Sequence, residues 1–92
     1  MGQPNGVAER RRPGPSPDAT RTAILDAAES LYAERGIHGV SLREIAEAAG
    51  QRNNAAVHYH FGGRDPLVQA LFERRFLELD RRRAAMLADL EA

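Results

Sequence analysis

The sequence predicts an all-α protein, a three-helix bundle built around a helix-turn-helix and followed by a long fourth helix. Three stretches carry that prediction. Residues 41–61, SLREIAEAAGQRNNAAVHYHF, read as two short helices across a glycine turn. Ahead of them, Ile24, Leu25, Ala28, Leu31 and Tyr32 recur at the spacing of one broad helical face. Beyond Gly62-Gly63, a helical pattern runs from Arg64 to the end of the chain.

The first helix is expected after Pro17, capped by Asp18 or Thr20, and ends at Gly36. The connector Ile37–Val40 is short, which brings the helix against the hairpin as the third side of its core. In the second helix, Ser41 is the N-cap, and Glu44 three residues on completes a capping-box pattern. Leu42, Ile45, Ala46 and Ala49 share one face. Gly50 supplies the left-handed stop. Asn53 and Asn54 are both candidate caps for the third helix, whose inner side carries Val57 and Phe61. Such a hairpin suits a DNA major groove, but the same spacing also fits an ordinary helical hairpin. In the fourth segment Asp65 and Pro66 suit a first turn. Leu67, Val68, Leu71 and Phe72 are expected to pack back on the head. Phe72, Phe76, Leu79, Met86 and Leu90 continue a stripe interrupted by Arg83, which calls for helices outside the chain or for another copy. If continuous, 64–92 spans about 43 Å.

Composition narrows the function classes. The 92 residues suffice for one small domain, and 16 of them are Ala, so the core is thin. Without Cys there are no disulfides or thiolate metal sites, and an intracellular, cytoplasmic home is expected. The N-terminal MGQPNGVAERRR lacks the apolar run of a secretory signal. No stretch approaches the roughly 20 apolar residues of a membrane helix, so no membrane partner is expected. The formal net charge is zero, with 13 Arg, no Lys and 13 acidic residues, which argues against indiscriminate nucleic-acid coating. Residues 1–17 read as a disordered arm, 18–63 as the head and 64–92 as helix four. Arg10, Arg11 and Arg12 in the arm suit either a DNA backbone or a solvated tail. His38, His58 and His60 lack ligand spacing, and neither a phosphate loop nor a nucleophile elbow is present, so neither catalysis, metal nor cofactor is expected.

In order and spacing, TRTAILDAAESLYAERG, VSLREIAEAAG and AAVHYHFGGRDPLVQALF resemble the DNA-binding head of TetR-family transcriptional regulators, over residues 20–72. The resemblance implies a homeodomain-like, TetR-type head that binds double-stranded DNA at a palindromic operator, typically as a repressor. It also implies a helical domain beyond helix four that dimerises and takes a small-molecule inducer. That domain is expected to be absent from these 92 residues, leaving a fragment, a shortened product or a head working alone. Dimerisation is then expected in a full-length protein and weak or absent here.

Carried over residue by residue, the resemblance places Thr20, Ser41 and Arg43 near phosphates, Arg43 either as a phosphate fork or as the partner of Glu47. Asn53, Asn54, Ala55 and Ala56 open the recognition helix toward base edges, where Asn suits adenine and an Ala methyl suits thymine. His58 and Tyr59 are phosphate or base candidates, His60 packs beside Phe61, and Arg64 meets a phosphate at the start of helix four. Two departures from the family pattern stand out. The turn Gln51–Asn54 is slightly longer than usual, and His58 stands where the family usually has Tyr. The rival reading is a protein-interaction module using the helix-four stripe. Between Thr20 and Gly63 there are four Arg against five acidic residues, a net of minus one, which leans toward the rival. The answering expectation is that Arg43, Arg52 and Arg64 share one side while Asp26, Glu29 and Glu34 lie on the outer face of the first helix.

Overall fold

The computed structural model describes residues 16–91. The expected arm, with Arg10, Arg11 and Arg12, lies outside the described residues except for its last two positions. The described chain folds as α1 (Pro17–Arg35), a 3-10 turn (Ile37–Gly39), α2 (Leu42–Ala48), α3 (Ala55–Phe61) and α4 (Arg64–Glu91), with no strand among these residues.

Helix α1 is the hub and touches every other element. Its cap is Ser16, not Asp18 or Thr20: the Ser16 hydroxyl accepts from the Ala19 N–H at 3.2 Å. Pro17 decides this. Its fixed φ and missing N–H suit the first helical position, so the cap falls one residue earlier. The helix stops where the Gly36 N–H donates to the Tyr32 carbonyl at 2.8 Å.

Helix α2 begins and ends as its sequence requires. The Ser41 hydroxyl accepts from the Glu44 N–H at 3.1 Å, and the Glu44 carboxylate accepts from the Ser41 N–H at 2.8 Å. At the other end, Gly50 takes φ +83°, a conformation that a Cβ would resist. The turn then closes with Gln51 N–H to the Ala46 carbonyl at 2.9 Å and Gly50 N–H to the Glu47 carbonyl at 3.0 Å. This pair of bonds is a Schellman motif, which satisfies carbonyls the helix leaves orphaned.

One side chain or more from each element meets in the core. Ile24, Leu25 and Ala28 come from α1, Val40 from the connector, Ile45 and Ala46 from α2, Val57 from α3 and Leu67 from α4, all buried. Ile24, Ile45, Val57 and Leu67 are fully enclosed, each worth roughly 1.5–3 kcal/mol of apolar burial. These contacts fix the two hairpin helices against α1, and so fix which face of α3 points outward.

Helix α4 is continuous over 28 residues, about 42 Å of the molecule's 57 Å length. Only its first two turns join the core. Leu67 is buried and Ala70 and Leu71 pack on it, but Phe72 is 69% exposed, against expectation. Phe72 sits roughly 140° around the helix from Leu67 at 3.6 residues per turn, so its ring turns away from the head. Phe76, Leu77, Leu79, Met86, Leu87 and Leu90 are exposed beyond it.

The α1–α4 packing is polar at its rim. The Arg74 guanidinium donates to Asp26 at 2.8 Å and to Glu29 at 2.8 Å, and Arg75 lies 3.5 Å from Glu29. Glu29, half-buried, and Asp26, still exposed, therefore both reach across to α4 instead of standing unpaired on the outer side of α1 as the sequence suggests. Their pairing with α4 removes two carboxylates from the charge balance of the head.

Candidate nucleic-acid interface

Helix α3 has one buried face and one open face. Val57 is enclosed and Phe61 is half-buried on the inner side. Ala55, His58 and Tyr59 are exposed on the outer side, Tyr59 by 82%. An aromatic ring that exposed adds nothing to the core and is available to a partner. Ala56, the other alanine expected at a base edge, is half-buried and packs against the core. The Tyr59 ring meets His60 edge-on at 5.0 Å, and the half-buried His60 lies 6.2 Å from Phe61.

The start of α3 separates the two asparagines. Asn53 Oδ1 accepts from the Ala55 N–H at 2.8 Å, so Asn53 is the residue that caps. Asn54 holds the N-cap position with φ −87° and ψ 12°, and its side chain makes no cap bond. Its amide therefore keeps both its donor and its acceptor for another group, the pair of functions that reading adenine needs. At the far end Gly62 takes φ +90° in the left-handed region, which lets the chain turn from α3 into α4 within two residues.

The flanking candidates sit at the starts of α1, α2 and α4. Ser41 uses its oxygen in the cap, yet a hydroxyl keeps its own O–H as a donor. Arg43 lies 3.5 Å from Glu47, with the two side chains 78% and 57% exposed. So exposed a pair is worth about 0.5 kcal/mol or less, and it yields readily to a phosphate. Arg64 shares a surface depression with Leu42, Gly63, Asp65 and Pro66, which brings the starts of α2 and α4 together. Thr20 is half-buried in the first turn of α1.

Two residues outside the expected set join this surface. The Arg21 guanidinium lies 5.0 Å from the centre of the Phe61 ring, a cation–π contact that ties the start of α1 to the end of α3. His38, on the 3-10 turn, lies 3.4 Å from Arg64. Contacts across 40 and 26 positions leave no periodic trace, and the sequence held no signal for either.

The carboxylates of the head are largely engaged. Asp26 and Glu29 take Arg74, Glu44 takes Arg35 at 3.0 Å, and Glu47 takes Arg43. The Glu44 carboxyl is held below the ordinary carboxylate range, first by the Ser41 backbone N–H and next by the Arg35 guanidinium. Arg21, Arg52 and Arg64 have no carboxylate at ion-pair distance among the described residues. Residues 20–63, of net charge minus one, can thus present a locally positive face. Among the described residues no group of three His, Asp or Glu is placed to hold a metal ion. No described helix is long and apolar enough to cross a membrane.

An all-α head in which two short helices cross a glycine turn, with the second helix open to solvent and edged by arginines, defines the helix-turn-helix class of DNA-binding domain. The chain belongs to the TetR family: a profile described as "Bacterial regulatory proteins, tetR family" matches residues 24–71. It is similar to the HTH-type transcriptional repressor Rv3405c of Mycobacterium tuberculosis, with 38% identity over 75 residues, covering 82% of this chain and 39% of the relative. It is also similar to the repressor KstR2 of Rhodococcus jostii, with 40% identity over 58 residues, covering 63% of this chain and 28% of the relative. The repressor AcnR of Corynebacterium glutamicum is 34% identical over 77 residues, covering 84% of this chain and 36% of the relative. The chain thus spans well under half the length of these relatives.

Proposed function

We propose that this chain reads double-stranded DNA as the head of a TetR-type regulator, inserting α3 in the major groove of a palindromic operator and repressing transcription there. The observation that carries this reading is the open face of α3. Ala55, His58 and Tyr59 are exposed there, and the half-buried Asn54 just ahead of them makes no side-chain cap bond, while Val57 behind them anchors the helix. Asn54 and Ala55 address base edges, and His58 and Tyr59 address bases or phosphates. Arg43 and Arg64, with the Thr20 and Ser41 hydroxyls, address phosphates from either side. Asn53 contributes by capping, and Ala56 by seating the helix.

The reading assigns no catalytic step and no cofactor, and it puts the protein in the cytoplasm, where its DNA is. An inducer and a stable dimer belong to a domain beyond α4. The interaction-module alternative is not favoured, because the match to a family of regulatory proteins covers residues 24–71, the helix-turn-helix itself.

The test is selection from a random pool of duplexes by the chain fused to a strong dimeriser. The expected product is an inverted repeat whose half-site preference changes in Asn54→Ala. Selection that returns no shared sequence would refute base reading by α3.

A further inference from the structure

Arg64 differs from the paired arginines in what it faces. Arg35, Arg43 and Arg74 each lie against carboxylates, whereas the Arg64 Nη1 lies 3.4 Å from His38 Nδ1. A guanidinium has only donors, so this contact is a hydrogen bond when the His38 ring is in its Nε2–H tautomer, with Nδ1 as the acceptor. The other group that feels the charge of Arg64 is the Tyr32 hydroxyl, which is buried, has no hydrogen-bond partner among the described residues and is also neutral. Burial pushes that hydroxyl's pKa up, and Arg64 works against the rise. His38 itself stands on the 3-10 turn that rests on α1, so its position is set by the core-packed hub.

A phosphate contact makes two demands on a long side chain. The chain must be ordered beforehand, because immobilising it costs affinity, and its charge must remain whole. A carboxylate partner meets the first demand and defeats the second. Open solvent does the reverse. A neutral acceptor meets both.

We propose that His38 is a positioning residue for DNA binding: its neutral imidazole holds Arg64 at the shared start of α2 and α4 without cancelling its charge. The inference deepens the reading of Arg64 as a phosphate contact and rests on it. The imidazole itself touches no base.

The test is a double-mutant cycle on the 92-residue chain with a mixed-sequence duplex of about 30 base pairs at low salt, where phosphate contacts dominate. His38→Leu removes the acceptor, and His38→Asn keeps an acceptor oxygen near the place of Nδ1. Both sites are exposed, and thermal melting checks that each variant folds. His38→Leu is expected to raise Kd about two- to tenfold, the scale of one immobilised side chain. His38→Asn should stay within about twofold of the parent, and His38→Leu should cost nothing further in an Arg64→Ala background. An equal loss in both backgrounds, no loss in the parent, or an Asn variant as weak as the Leu variant would overturn the proposal and leave DNA binding standing. A parent that binds no DNA at low salt would overturn both.

Discussion

At the residue scale, Glu44 joins three parts of the head. Its carboxylate accepts from the Ser41 N–H, returns the α2 cap and takes Arg35 from the end of α1. Its pKa is lowered in the folded state, so its stabilisation is complete above the unfolded carboxylate value and is lost as pH falls through the folded one. Glu44→Gln should therefore melt below the parent at neutral pH, with the gap closing in acid; a gap that persists to about pH 2 would contradict this. Ser41→Ala should cost about 1 kcal/mol in denaturant unfolding through loss of the other half of the cap. This cap was legible in the sequence because it lies within one turn of backbone. The division of labour between Asn53 and Asn54 was not, because it depends on a turn whose dihedrals the sequence leaves open. With Asn53 engaged and Asn54 unengaged, Asn54→Ala should change sequence preference with little effect on melting, whereas Asn53→Ala should lower the melting temperature.

At the scale of elements, the head is a small core with α1 at its centre, and α3 is its least supported member. Val57 is the only fully buried side chain of α3. Val57→Asp places an unpaired carboxylate there at a cost of several kcal/mol, which should unfold a domain this size. A melting curve unchanged from the parent would contradict the burial. The four-helix order, the glycine stops and most core positions followed from 3.6-residue periodicity, which reports one helix at a time. The α1–α4 clamp did not, since Asp26, Glu29 and Arg74 are joined across 48 and 45 positions. The exposure of Phe72 is hidden for the same reason: helical spacing orders a stripe but does not say where the neighbouring helix ends. Arg74→Ala should lower stability by about 1 kcal/mol, and added salt should narrow the difference from the parent as screening weakens the pairs. A salt-independent difference would mean that Arg74 acts through packing alone.

At the scale of the whole molecule, a recognition helix of seven residues would reach only a few base pairs, so a single head is expected to bind weakly. Linking two heads makes the second contact intramolecular and raises avidity by roughly 10²–10⁴. Within these residues the exposed α4 stripe is the visible means of pairing, and Arg83, paired to Asp80 at 2.6 Å, puts charge in its middle. The 92 residues by themselves are expected to be monomeric or weakly dimeric at micromolar concentration in light scattering, and fusion to a dimeriser should restore tight binding. A stable dimer with nanomolar DNA affinity and no fusion would contradict this. On the reading proposed above, a head without net positive charge binds DNA through the arginines its fold leaves exposed beside α3. The most direct test is the salt dependence of duplex binding by the parent, Arg43→Ala and Arg64→Ala. A parent slope of log K against log salt steeper than about −2, reduced by about one in each variant, is the expected result. A flat parent response, or variants that leave a steep slope untouched, would contradict it.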